Sequence, residues 1–378
     1  MVAITATMPA PKPPLERQCA VCGSKDGLRR CTGCCLVLYC GKNHQTSHWR
    51  EHKRDCKDVG YYTTCLQLEE HMLRDHAGDL GLSDNLFEEA RGWFSELDGV
   101  HQYLGARKDL VTAMVKMNTF DSIQAAIFHC QGIVELDFQD YTGIVLYLPS
   151  LYLRLGLEQQ CYDFCKWNIM IQDFFDKKAP DIPWGEMGDM CVSMKNSNVF
   201  EDLEYFTDSA APCELFYLVA VMLVKFRLLQ DLLALQATTE SVGKRVPTEI
   251  LDYICLYVVR PVVVKNRTIM ESTDRSYEIQ LLKMQVQFLF RLVSKRFKST
   301  WLGLIHPRSK QGLGSGTRCP CCETGGRYVL QNSCDAWAET PGAIDHAMEF
   351  IEQMGIKLEL ADVSKKTCAH QKQDINAK

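Results

Sequence analysis

Residues 19 to 56 contain Cys19-Ala-Val-Cys22, Cys31-Thr-Gly-Cys34, Tyr39-Cys40, His44-Gln45, His48-Trp49, His52 and Cys56. Eight donors fall in register as Cys-x2-Cys, x8, Cys-x2-Cys, x5, Cys-x3-His, x7, His-x3-Cys, the complement of two tetrahedral zinc sites. A Cys-x2-Cys turn lets two thiolates converge on one ion about 2.3 Å away, and donors three or four apart on a helix share a face. So short a stretch cannot bury much of a core. Coordination must then supply most of its folding free energy, which makes the metal structural. Composition does not fix which pairs share an ion. Cys35, beside Cys34, and His48, one helical turn from both His44 and His52, compete as donors; the spacing favours Cys34 and His52.

The paired cysteines, Tyr39-Cys40, the donor followed by Gln45, and His48-Trp49-x2-His52-Lys53-x2-Cys56 resemble the MYND zinc finger. In that family the pairs interleave. The resemblance implies Cys19, Cys22, Cys40 and His44 on one zinc, and Cys31, Cys34, His52 and Cys56 on the other. His44 stands where the family often has cysteine and remains a competent donor. The family's groove for short proline-containing peptides uses the Gln and Trp of the motif, which here are Gln45 and Trp49. The alternative for Trp49 is packing inside the finger's small core.

The chain has 378 residues, 46% of them hydrophobic, enough for a large core beyond the finger and for two or three domains. Met1 to Ala10 lack a basic start and a long apolar run, so the 19 cysteines are expected to be reduced, in an intracellular protein of the nucleus or cytoplasm. The apolar run Leu215 to Val224 is too short to span a bilayer and suits a buried helix. Residues 19 to 57 hold eight bases and three acids, a net +5, which leaves the remainder near −10. A basic finger can touch nucleic acid, but an acidic body weakens general attraction to phosphate.

The expected fold class is mainly α: a small double-zinc finger followed by a multi-helix domain. Residues 1–17, with Pro9, Pro11, Pro13 and Pro14, are expected to be a disordered tail and 18–57 the finger. A helical domain follows over 58–305, then a Gly/Ser-rich linker at 306–326, a helical segment completing the domain at 327–361, and a polar tail at 362–378. Ser83 is expected to cap a helix carrying Phe87, Ala90, Phe94 and Leu97. Leu110 to Met117 and Ile123 to Leu136 continue it, with Gly105 and Gly132 as breaks. Gly143 to Leu155 and Glu158 to Ile171 read as two helices turning at Gly156, with Pro149 inside the first. Cys213 to Gln236, Thr248 to Val259 and the amphipathic Tyr277 to Ile305 follow, and a last helix runs to about Met354. Leu153 to Trp167, Trp184 to Met187 and the stretch from Asp335 resemble, together with the finger, a group of fungal MYND-finger proteins with a long helical region.

No catalytic residues are expected. There is no Gly-x-Ser-x-Gly elbow, kinase motif set, His-Glu-x2-His or dinucleotide loop, and Glu186 with Asp189 reads as a solvated loop. Gly312 to Gly316 lacks the Gly-Lys-Ser/Thr of a phosphate loop. Cys319 and Cys322 have ligand spacing without a clear complement, so free thiols are preferred there and at Cys334. The resulting expectation is a non-enzymatic protein with two structural Zn2+ ions. It would bind protein partners through proline-containing peptides, as a transcriptional or regulatory adaptor. The alternative is nucleic-acid or chromatin binding through Arg29, Arg30, Arg50, Lys53 and Arg54.

Overall fold

The computed structural model describes residues 14–138, 140, 142–178, 194–207, 214–243, 245–296, 301 and 333–355. Among these, Pro14 to Leu155 belong to one compact unit, and Gly156 to Asp173 with the residues from Met194 onward to a second. The fold is mainly α, as expected. No helix of the described residues is long and apolar enough to cross a membrane.

The first unit begins with a two-stranded antiparallel ribbon, β1 (Arg29–Arg30) with β2 (Leu38–Tyr39), pairing Arg29 with Tyr39 and Arg30 with Leu38. Then α1 (Lys42–Asp75) runs unbroken for 34 residues, about 51 Å at 1.5 Å per residue. Its buried residues are His52, Cys56, Val59, Leu66 and Leu73. These recur at intervals of three, four or seven, which keeps them on one stripe. The stripe starts as metal donors and continues as an apolar seam against α2 (His101–Met117). Burying Val59, Leu66 and Leu73 there contributes about 1.5–3 kcal/mol each. The border expected between residues 57 and 58 lies inside this helix. Its polar outer positions conceal the continuity.

α2 packs on α3 (Phe120–Leu136), which packs on α4 (Leu148–Arg154). Thr119 caps α3: its hydroxyl accepts from Ser122 N, and Ser122 Oγ accepts from Thr119 N, completing a capping box. Gly105 and Gly132, expected as breaks, lie inside α2 and α3. The helix expected from Ser83 to Leu97 is a single turn, Leu86–Glu89, and Gly92 interrupts it at φ +90. A side chain there would sit 2.3 Å from the Phe138 ring. Pro149 lies in the first turn of α4, where its missing N–H costs nothing.

In the second unit, Gly156 at φ +69 precedes α5 (Glu158–Lys178), which belongs to this unit as far as Asp173. The helix expected from Cys213 is α6 (Glu214–Val242); Leu215 to Val224 are buried throughout. α6 packs against α7 (Thr248–Val258) and α8 (Ser276–Arg296), and α9 (Ala343–Gln353) follows. Phe290 stacks on Trp301 and Phe350, with centroids 4.9 and 4.7 Å away, beside buried Trp337. Arg227 bonds Glu158 at 2.8 Å and the Thr340 hydroxyl at 2.7 and 2.9 Å, while Asp231 holds Arg260. Burial raises the Asp231 carboxyl to about 6, and Arg260 opposes that shift. The expected loop at residues 180–189, the linker at 306–326, Cys319 and Cys322, and the tail at 362–378 lie outside the described residues.

Candidate metal centre

Two turns of the same design open the finger. Cys19 O accepts from Gly23 N at 3.0 Å and Cys31 O from Cys35 N at 2.9 Å, each closing a loop around a Cys-x2-Cys pair. The residue after the second cysteine is left-handed in both: Gly23 at φ +71 and Cys35 at φ +58. That explains Cys35. It occupies the backbone position that glycine fills in the first turn, and its side chain is exposed, outside both donor groups. Gly33 has a different reason: a Cβ there would lie 2.7 Å from Cys56 Sγ. Only glycine lets the second turn approach α1 closely enough for Cys56 to join Cys31 and Cys34.

The ribbon and α1 bring the remaining donors in. Cys40 ends β2's side of the finger. His44 stands in the first turn of α1, and His52 and Cys56 follow two and three turns on. Cys19, Cys22, Cys40 and His44 form one group and Cys31, Cys34, His52 and Cys56 a second, with the donor atoms of each within 4.8 Å of one another. In the first, Cys22 Sγ is 3.6 Å from Cys40 Sγ, and His44 Nδ1 is 3.5 Å from Cys19 Sγ and 3.1 Å from Cys40 Sγ. In the second, Cys31 Sγ is 3.8 Å from Cys56 Sγ, and Cys34 Sγ is 3.5 Å from His52 Nε2. Donors arranged tetrahedrally about 2.3 Å (sulfur) or 2.0 Å (nitrogen) from a centre are about 3.5–3.8 Å apart. The donor sets therefore fit two zinc ions. Four protein donors close each site, which is the structural arrangement.

The electrostatics agree. Burial works against the Cys19 thiolate, yet the backbone N–H groups of Cys22, Cys40 and Val21 bring its pKa down to about 6. Cys40 is pushed up to about 11 by the neighbouring Cys22 thiol, and Cys56 to about 12 by burial and by Cys34. Thiols crowded in this way resist ionising together unless a cation sits among them. His52 is lowered by burial, which favours the neutral imidazole that a metal needs. His48, the other competing donor, bonds the Tyr39 hydroxyl through Nδ1 at 2.9 Å and stacks on His52 with ring centroids 5.8 Å apart. It orients a ligand and stands outside both donor sets.

Gln45 and Trp49 lie one turn apart on α1. The Gln45 amide nitrogen is 3.9 Å from Cys31 Sγ. Trp49 is 41% exposed and meets the His52 ring edge-on at 6.2 Å, so one part of the indole packs on the finger and another stays open to solvent.

The finger is seated on the body by contacts that the sequence did not signal. The Thr119 hydroxyl donates to Leu36 O at 2.6 Å, and Lys116 pairs with Asp55 at 2.9 Å. Arg17 bonds buried Asp121 at 2.9 Å and Gln124 at 2.7 Å. Arg17 was expected in the disordered tail; its bonds to α3 hold it. These partners are up to 107 positions apart, and no local pattern links them.

The family model for the MYND finger matches residues 19–56. Residues 19–56 are a MYND finger. MYND fingers are protein-interaction modules, and this one binds two structural zinc ions. Curated relatives that match include the Rho GTPase-activating protein gacZ of Dictyostelium discoideum, 46% identical over 55 residues, and human Egl nine homolog 1, 37% identical over 49. The matches take in 15% and 13% of this chain, and 5% and 12% of those proteins. The expected resemblance to fungal proteins is not shown by them. No solved structure matches.

Proposed function

We propose that the MYND finger recognises short proline-containing peptides through Gln45 and Trp49, and that the protein is an adaptor with no catalytic step of its own. The supporting observation is Trp49, a large aromatic left open to solvent one turn from Gln45 and braced by the zinc ligand His52. An exposed indole is a low-entropy apolar platform for an extended proline segment. With the Gln45 amide nitrogen turned to Cys31, its carbonyl oxygen is left for a ligand's backbone N–H. The surrounding zinc ions hold both side chains in place. Saturated Cys3His donor sets also favour a binding role over Lewis-acid chemistry.

The test is a titration with a labelled proline-motif peptide. Trp49→Ala in the zinc-loaded protein should weaken binding at least about tenfold; unchanged binding removes Gln45 and Trp49 as the groove. Nucleic-acid or chromatin binding stands second. Arg50, Lys53 and Arg54 are exposed, but Arg30 leans 3.8 Å from Asp121. Steeply salt-dependent binding to duplex DNA or RNA would put that reading first.

A further inference from the structure

One face of α1 is covered by α2, and the face roughly opposite is apolar yet open. Tyr61 is 66% exposed, Leu68 59% and Met72 44%, with Cys65 half-buried between them. Their spacing is four, three and four, the repeat of a helix-packing seam. Three exposed bases, Arg50, Arg54 and Lys57, precede them in the same line. At 3.6 residues per turn, all of these positions fall within a sector of about 80°. No Asp or Glu enters that sector between Arg50 and Met72. Among the described residues, none of the three bases forms an ion pair.

We propose that this outer face of α1 docks an amphipathic helix from another protein, apolar along the half that meets Tyr61, Leu68 and Met72 and acidic along the half that meets Arg50, Arg54 and Lys57. The charge pattern identifies the occupant. The apolar spacing matches a helix laid along α1, since residues three and four apart interlock only with the same periodicity. The bases call for carboxylates at one end of that helix. A nucleic acid would engage the bases and leave Tyr61, Leu68 and Met72 wet. A bilayer would gain little from side chains in single file. The site is separate from the Gln45 and Trp49 face: Trp49 lies about 120° around the helix from the centre of this stripe.

The experiment uses the full-length zinc-loaded chain and a fluorescein-labelled helical peptide of about 23 residues, the span from Arg50 to Met72. The peptide carries leucines at three-four spacing along one half of a face and glutamates along the other half. It is made in both sequence orders. One order should bind. Leu68→Glu, and separately Arg50→Glu with Arg54→Glu, should each weaken binding at least about tenfold. Lysines in place of the peptide's glutamates should restore binding to the arginine variant, and Trp49→Ala should change nothing. Unaltered helicity and two zinc ions per chain check each variant's fold. Should Leu68→Glu lose zinc, Leu68→Gln takes its place. Failure of both peptide orders, or binding indifferent to both variants, overturns the proposal. So does tighter binding of duplex RNA or anionic vesicles that only the arginine variant abolishes. Loss of peptide binding in Trp49→Ala would assign the peptide to the other face and overturn it equally.

Discussion

The finger and the second unit keep polar groups out of water by different chemistry. In the finger, eight thiol and imidazole donors close on two ions, with little apolar support beyond Leu36, Val37 and Tyr39. In the second unit, Arg227, Glu158, Asp231 and Arg260 neutralise one another inside a large core of aliphatic and aromatic side chains. A metal supplies folding free energy outright, whereas a buried ion pair mostly offsets its own desolvation. The finger should therefore respond to metal and acid. The second unit should respond to the loss of a single charge.

Removing zinc is the largest perturbation. Structural zinc is worth on the order of 10 kcal/mol per ion, so a strong chelator should unfold residues 19–56 and fray α1 up to about Val59. Limited proteolysis should then cut the finger while leaving the helices from Glu158 onward protected. Equal loss of protection in both regions would break the contrast. Next comes Glu158→Ala, which removes the buried carboxylate facing both Arg227 and Arg260 and should destabilise the second unit by about 3–5 kcal/mol in urea unfolding, with zinc content unchanged. Pairing it with Arg227→Met should recover much of that loss.

An acid dependence should appear in the first unit apart from its zinc ligands. Burial, with Arg107 nearby, lowers His129 to about 4, and its Nδ1 is buried with no partner. A folded-state pKa below the unfolded value of about 6.5 means that the unfolded chain takes up a proton that the folded one refuses. Stability is complete above pH 6.5 and falls as pH drops toward 4, by about 2 kcal/mol between pH 7 and pH 5. The His129→Gln protein should lack that increment in paired urea titrations, while any acid loss of zinc persists. The smallest effect expected is from Cys35→Gly. It relieves the left-handed backbone at φ +58 and should stabilise the finger by up to about 1 kcal/mol with both ions retained.

The donor groups were legible because a Cys-x2-Cys turn and a three-residue helical spacing are local geometry, and local geometry is written in consecutive residues. Choosing Cys34 over Cys35 and His52 over His48 followed from the same spacing. The seating of the finger was not legible. Thr119 with Leu36, Lys116 with Asp55, and Arg17 with Asp121 join residues whose separation along the chain carries no periodic signal. The continuity of α1 was hidden for another reason. Val59, Leu66 and Leu73 lie seven apart, too sparse to dominate a polar stretch until the buried ligands before them are counted on the same stripe.

That continuity bears on how the finger presents a ligand. A module on a flexible linker must search orientations each time it meets a bound partner's second segment, and that search costs entropy. Here the zinc-bound turns grow directly into a rod of about 51 Å whose other end is packed on α2. Whatever the finger holds is thereby set at a fixed bearing and distance from the rest of the first unit. A partner with two contact segments would be measured against a ruler, and changing its spacer by a few residues should matter more than changing its sequence.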